Sequence, residues 1–394
     1  MVSLGMWACN SLGVKGIMEI KRLRMSVTVA VLAALLVVSG CAPAVSPTAV
    51  PTRASVPTAG TTEPTKPPPP TVAPPSATAT PRPATIKFGS PGFAAFTAFF
   101  LTLDKGYFKE QGIDIELVNF RSGSEGVAPL ATGQLDILAT SLATSILSAA
   151  DRDMDIRLVA PASISAPSYE HNWILLRKDL ADSGQVKTPA ELKGMKIAVP
   201  SLGSLGDQTV QIMLEQAGLK PGDAEVIVIP VADQPVALAN KAVAAAYTTE
   251  PTVAPIVQQG LAVKWKPASQ FYGGQVQTTA MAFGLTLIKD QELGRRWTTA
   301  YLKGVREYLK ALSPQGKREE VVQVLSKYTP VKDSKLYDLI ETPYVDPNGQ
   351  FHKASMDAQY KWYLEKGLYK GKKSFIDITD LSYVDYAVQK LGKQ

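Results

Sequence analysis

Beyond residue 84, short apolar runs alternate with helix-like stretches. Residues 86–89 read as a strand, and residues 93–103 suit a helix or an apolar turn that Gly106 breaks. Residues 107–111 form a short turn closed by Gly112. Ile113, Ile115 and Leu117 then alternate with polar residues, the period of a half-buried strand. A helix over 125–132 with Gly133 as its stop, a strand over 137–139, a helix over 142–150 and a strand over 156–160 complete a first set. The second set has strands over 173–177, 196–199, 225–229 and 244–247, and helices over 205–217 and 236–241. In the 205–217 helix, Val210, Met213, Leu214 and Ala217 share one face and Gly218 ends it. Residues 281–288 read as a strand returning to the first set, 295–312 as a long helix, and the remainder as mostly helical, polar sequence.

This rhythm implies mainly parallel sheets flanked by helices, an α/β chain in two lobes. Residues 85–170 and 268–394 are assigned to lobe 1 and residues 171–267 to lobe 2. Ligands favour the cleft between such lobes and the carboxyl ends of parallel strands.

The first 84 residues differ in kind. Lys21-Arg22-Leu23-Arg24 precedes a 12-residue apolar run over 27–38, broken only by Thr28. A helix of that length spans ~18 Å against a bilayer core of ~30 Å, so an export signal fits better than a membrane span. Val38-Ser39-Gly40-Cys41 follows and resembles a bacterial lipobox, which makes Cys41 the expected lipidation site after cleavage of residues 1–40. Met18 is the expected start, because it gives a compact signal that keeps the positive charges and omits Cys9. Residues 42–84 hold 13 Pro and 9 Thr in 43 positions and no Phe, Tyr, Trp, Leu or Ile, the composition of a disordered tether. Such Pro-rich chain extends at ~3.1 Å per residue and would space a folded body from a membrane.

The charge confirms this division. Of the formal +6, residues 1–40 carry +3 and residues 42–84 carry +2, leaving +1 for the body. A nearly neutral body argues against a nucleic-acid partner, which would call for a basic stripe. Two Cys and two His in 394 residues exclude a disulfide framework and a Cys/His zinc site.

Four segments carry a resemblance. The stretch from Asp104-Lys105-Gly106-Tyr107-Phe108 to Gly112-Ile113-Asp114, then Gly133-Gln134-Leu135-Asp136, Leu192-Lys193-Gly194-Met195-Lys196 and Thr249-Glu250-Pro251 together resemble the nitrate/sulfonate/taurine-type substrate-binding proteins. Thr249 stands where Trp is common in that group, which is related to thiamine-pyrimidine synthase. The resemblance covers residues 85–312. It implies a two-lobed type II periplasmic binding protein fold. It also implies a lipid-anchored, extracytoplasmic protein, usually a monomer, that closes on a small molecule and hands it to an ABC permease with its ATPase. No cofactor or metal is expected.

Candidate ligand residues fall on the loops that follow strands. Phe93 follows the first strand, while Phe96, Phe99 and Phe100 read as core. Ser122 and Ser124 lie in Arg121-Ser122-Gly123-Ser124-Glu125, where Ser124 can cap the next helix, and Ser141 occupies the equivalent turn. Ser201 and Ser204 lie in the small-residue loop before the 205–217 helix, which lacks the Gly-Lys-Ser/Thr of a phosphate loop. Tyr169, Glu170, His171 and Trp173 lie on the first crossing between lobes, and Glu250 on the return side, where either ligand contact or hinge packing would suit them. Aromatic rings with acceptors favour a ring compound such as a pyrimidine or flavin over a nitrate- or sulfonate-like anion. Two other readings remain: a pyrimidine-synthase-like enzyme, disfavoured by the lack of a nucleophile elbow or metal spacing, and a sensing lipoprotein that docks a receptor.

Overall fold

Residues 82–394 are described by this computed structural model, and two five-stranded sheets organise them. The signal segment, Cys41 and nearly all of the tether lie outside the described residues. The strands are β1 (Ala84–Ser90), β2 (Ile113–Asn119), β3 (Ile137–Ser141), β4 (Arg157–Ser165), β5 (Asn172–Arg177), β6 (Lys196–Val199), β7 (Glu225–Val228), β8 (Ala245–Thr249), β9 (Ala262–Pro267) and β10 (Val276–Phe283). The first sheet has the order β2-β1-β3-β10-β4 and the second β7-β6-β8-β5-β9.

The two sheets share one plan. In the first, β1 pairs in parallel with β2 and β3, and β10 runs antiparallel to both β3 and β4. In the second, β6 is parallel to β7 and β8, and β5 is antiparallel to β8 and β9. So four strands of each sheet point one way. The reversed fifth is the strand that has just crossed from the other lobe. The register shows why. Val276, which opens β10, pairs with Ser165 at the end of β4, and Asn172, which opens β5, pairs with Thr249 at the end of β8. A chain entering from the cleft must start where its neighbours finish, so all the strand ends that leave toward the cleft gather there.

Each sheet is covered on both faces, and its side chains alternate accordingly. On β3, Ile137 and Ala139 join a core with Trp297 and Tyr301, while Leu138 joins a separate core with Trp362 and Phe375. On β6, Ile197 and Val199 face Val210 and Met213, and Ala198 faces Leu238. Phe96, Phe99 and Phe100 are core residues. The helix Gln291–Leu312 lies over the first core beside the helices Thr97–Asp104 and Ser382–Leu391.

One expectation needs correction. The returning strand lies at Val276–Phe283 rather than 281–288, and Leu285–Lys289 is a helix. Gln277, Thr278 and Thr279, outside the expected range, are buried and bonded: Gln277 Nε2 donates to Ser163 O and Thr279 O at 3.0 and 2.9 Å. Strand β9 was not foreseen, because Lys264 and Lys266 interrupt its apolar pattern. It is a sheet edge, where such charges discourage pairing with other chains. Among the described residues no helix is long and apolar enough to cross a membrane.

Candidate functional site

The gathered strand ends bound one cavity between the lobes. From lobe 1 come Phe93 after β1, Ser122 and Ser124 after β2, Ser141 at the end of β3, and Thr278 and Thr279 of β10. From the crossing and lobe 2 come His171, Asn172, Ser201, Ser204 and Thr249. The cavity measures about 70 Å³. At ~10–15 Å³ per water that is room for roughly five waters, the bulk volume of one small substituted ring.

No ionised side chain lines it. Its polar side chains are hydroxyls, the Asn172 amide and the His171 imidazole. Complete burial pushes the His171 pKa down to about 4, so the ring is neutral at ordinary pH. His171 Nδ1 lies 3.2 Å from Ser165 Oγ and 3.4 Å from the Tyr169 carbonyl, and Nε2 lies 3.3 Å from Thr278 Oγ1, so both ring nitrogens are engaged. Thr278 and Thr279 both bond to Ser163, and Asn172 Nδ2 donates to Ser165 Oγ at 3.0 Å. The floor is therefore a preordered set of neutral donors and acceptors.

The charges near the cavity are engaged elsewhere. Arg121, the one cation the sequence places beside a site loop, pairs with Asp233 of the other lobe. Asp207 Oδ2 accepts from Gly203 N at 2.8 Å and Oδ1 from Gln211 Nε2 at 2.7 Å, so this carboxylate fixes the 201–204 loop from inside the helix Leu205–Gln216. Ser204 caps that helix by accepting from Asp207 N at 3.3 Å. Ser204→Ala is expected to cost about 1 kcal/mol of stability, measured by urea unfolding, and an unchanged midpoint would remove the cap from this account.

Of the sequence candidates, Phe93, Ser122, Ser124, Ser141, Ser201 and Ser204 lie on the cavity, as does His171 of the crossing. Tyr169 and Glu250 do not. Tyr169 borders a separate hollow, its ring 5.6 Å from that of Tyr344. Glu250 is fully buried behind the site, with Oε2 accepting from Ala254 N at 3.1 Å and Oε1 3.6 Å from Lys264 Nζ. Ser124 does not cap a helix either: its hydroxyl accepts from Ser145 at 3.4 Å, and the next helix opens at Gly126 without a side-chain cap. Asn172, Thr249, Thr278 and Thr279 were not anticipated. The detectable signal for the last two was the Gln-Thr-Thr run inside an otherwise apolar strand.

The family model described as NMT1/THI5 like matches residues 94–311, more than half of the chain. The chain belongs to this family. A formylaminopyrimidine-binding protein from Halalkalibacterium halodurans is 26% identical over 132 residues, which are 34% of this chain and 36% of that protein. The match therefore spans about a third of that relative's length. Among solved structures, the ligand-binding component of an ABC-type import system from Staphylococcus aureus, with zinc bound, superposes with a TM-score of 0.64 at 16% identity, covering 77% of this chain and 98% of that one. The periplasmic nitrate-binding protein NrtA from Synechocystis PCC 6803 gives 0.62 at 16% identity, over 79% and 90% of the two chains. The desulfurization enzyme DSZB gives 0.59 at 13% identity over 78% and 99%, so the same architecture also carries an enzyme. The fold is the two-lobed α/β architecture of type II periplasmic binding proteins. Among the described residues no cluster of three or more His, Cys, Asp or Glu is placed to hold a metal ion.

Proposed function

We propose that this protein is the substrate-binding component of an ABC importer and that its ligand is a small neutral ring of the pyrimidine class. One observation carries the ligand assignment: the interlobe cavity presents hydroxyls, an amide and a neutral imidazole, and no ionised side chain. An amino- or formylaminopyrimidine offers ring nitrogens as acceptors and amino groups as donors, which these neutral groups complement. Phe93 supplies an apolar ring at the cavity wall. A nitrate or sulfonate would need a cation or a set of convergent N–H donors to replace its hydration, and Arg121 is already paired. The cavity volume also argues against a three-ring flavin.

The import reading draws support from family membership and from the fold shared with import-system components. The signal pattern and Cys41 favour export and a lipid anchor on the outer face of the cytoplasmic membrane, with the protein acting as a monomer that docks a permease. Binding rather than catalysis is favoured by the cavity chemistry, which offers neither a cysteine nor a carboxylate.

Thermal unfolding of the purified chain tests this. An aminopyrimidine at about 100 times its dissociation constant is expected to add ~2.7 kcal/mol of stability, a midpoint shift of several degrees. Phe93→Ala is expected to weaken that binding by about tenfold. Stabilisation by nitrate or taurine with none by any pyrimidine would sink the ligand assignment.

A further inference from the structure

The helix Thr144–Asp151 begins at Ala143 without a side-chain cap. Its first N–H groups have no partner within the helix. The Thr144 N–H finds one across the cleft: it donates to the Gly203 carbonyl of the other lobe at 3.0 Å. Gly203 has φ 65°, and a Cβ there would lie 2.3 Å from Thr144 Oγ1. Only glycine lets the loop come this close. The loop is held for the task, since Gly203 N donates to the buried Asp207 carboxylate. Elsewhere on the rim Arg121 of lobe 1 pairs with Asp233 of lobe 2, and Lys366 of lobe 1 pairs with Glu215 of lobe 2 at 2.5 Å.

We propose that these contacts form a closure latch, in which the Gly203 carbonyl caps the Thr144 helix in trans when the lobes close and the Arg121–Asp233 pair locks the mouth beside it. Close neighbours of the latch residues line the cavity: Ser204 follows Gly203, Ser201 lies two residues before it, and Ser122 follows Arg121. A ligand that fixes those hydroxyls therefore also fixes the latch, which supplies the preference for the closed state that ligand-driven closure requires. Gly203 and Arg121 act as positioning residues, setting how long a ligand is retained without being selective for its chemistry.

The test uses no ligand, so its outcome is independent of the ligand assignment. Amide exchange in the full chain reads the latch directly. The Thr144 amide is expected to be protected about tenfold or more relative to a free first-turn amide, and exchange at the free rate would overturn the proposal. Gly203→Ala sets a methyl group against Thr144 Oγ1 and should remove that protection. Arg121→Glu should lower it, and Arg121→Glu with Asp233→Arg should restore it. Unchanged exchange within the helix Leu205–Gln216 reports that each variant stays folded. Protection of Thr144 that survives Gly203→Ala, or no rescue by the double reversal, would also overturn the latch.

Discussion

Trp297→Ala is expected to remove about 4 kcal/mol of stability, the largest single loss in the molecule, lowering the thermal midpoint by on the order of 10 °C. Trp297 is fully buried on the helix Gln291–Leu312. Its ring centroid lies 5.3 Å from Tyr301, 5.6 Å from Phe108 and 5.4 Å from Phe283, the last in edge-to-face contact. Phe283 belongs to β10, the strand that returns from lobe 2, so this ring ties the long helix to the crossing. A cavity here cannot collapse without moving strand and helix together, which places the cost high in the range for such truncations. The indole N–H has no hydrogen-bond partner. Trp297→Phe removes that buried donor and keeps most of the apolar volume, so it should cost far less than Trp297→Ala. Equal losses for the two variants, measured by urea unfolding, would refute the packing argument.

The lobes and the strand ends were readable because they follow from local pattern. Short apolar runs alternating with helices imply parallel strands, and their carboxyl ends supply loops of small residues. That reasoning led to Phe93, Ser122, Ser124, Ser141, Ser201 and Ser204, all on one cavity. It could not reach Thr278 and Thr279. These sit on a strand that enters the sheet from the cleft side, so its amino end lines the site, opposite to the rule that governs its neighbours. Their polarity belongs to the cavity floor, and read along the chain it mimics a loop.

The crossing failed for a different reason. Tyr169 and His171 lie two residues apart, yet one borders an outer hollow and the other the cavity. Ser168, immediately before Tyr169, has φ 70°, and such a turn changes which side the following residues face in a way no periodicity encodes. Glu250 is similar. The sequence places it beside the cleft, where its backbone does lie, because its N–H donates to the His171 carbonyl at 2.9 Å. Its side chain turns the other way, toward Lys264 and Ala254.

That orientation sets up a second large effect, in pH. Burial raises the Glu250 pKa from 4.5 to about 7, against the pull of Lys264 and the Ala254 N–H and with help from the Glu341 charge. The folded state therefore keeps a proton that the unfolded chain releases above about 4.5, and stability from this group falls as pH rises from 4.5 to 7. His171 has the opposite sign. Its pKa falls from 6.5 to about 4 on burial, so its contribution is complete above 6.5 and is lost as pH drops toward 4. Each shift corresponds to roughly 3 kcal/mol across its window. The two slopes oppose each other between about pH 4.5 and 6.5. Glu250→Gln removes one slope. Relative to the intact protein, this variant is expected to gain stability steadily from pH 4.5 to 7. Urea unfolding at pH 4.5, 6 and 7.5 reads the difference directly, and parallel profiles for the two proteins would show that Glu250 does not hold its proton in the fold.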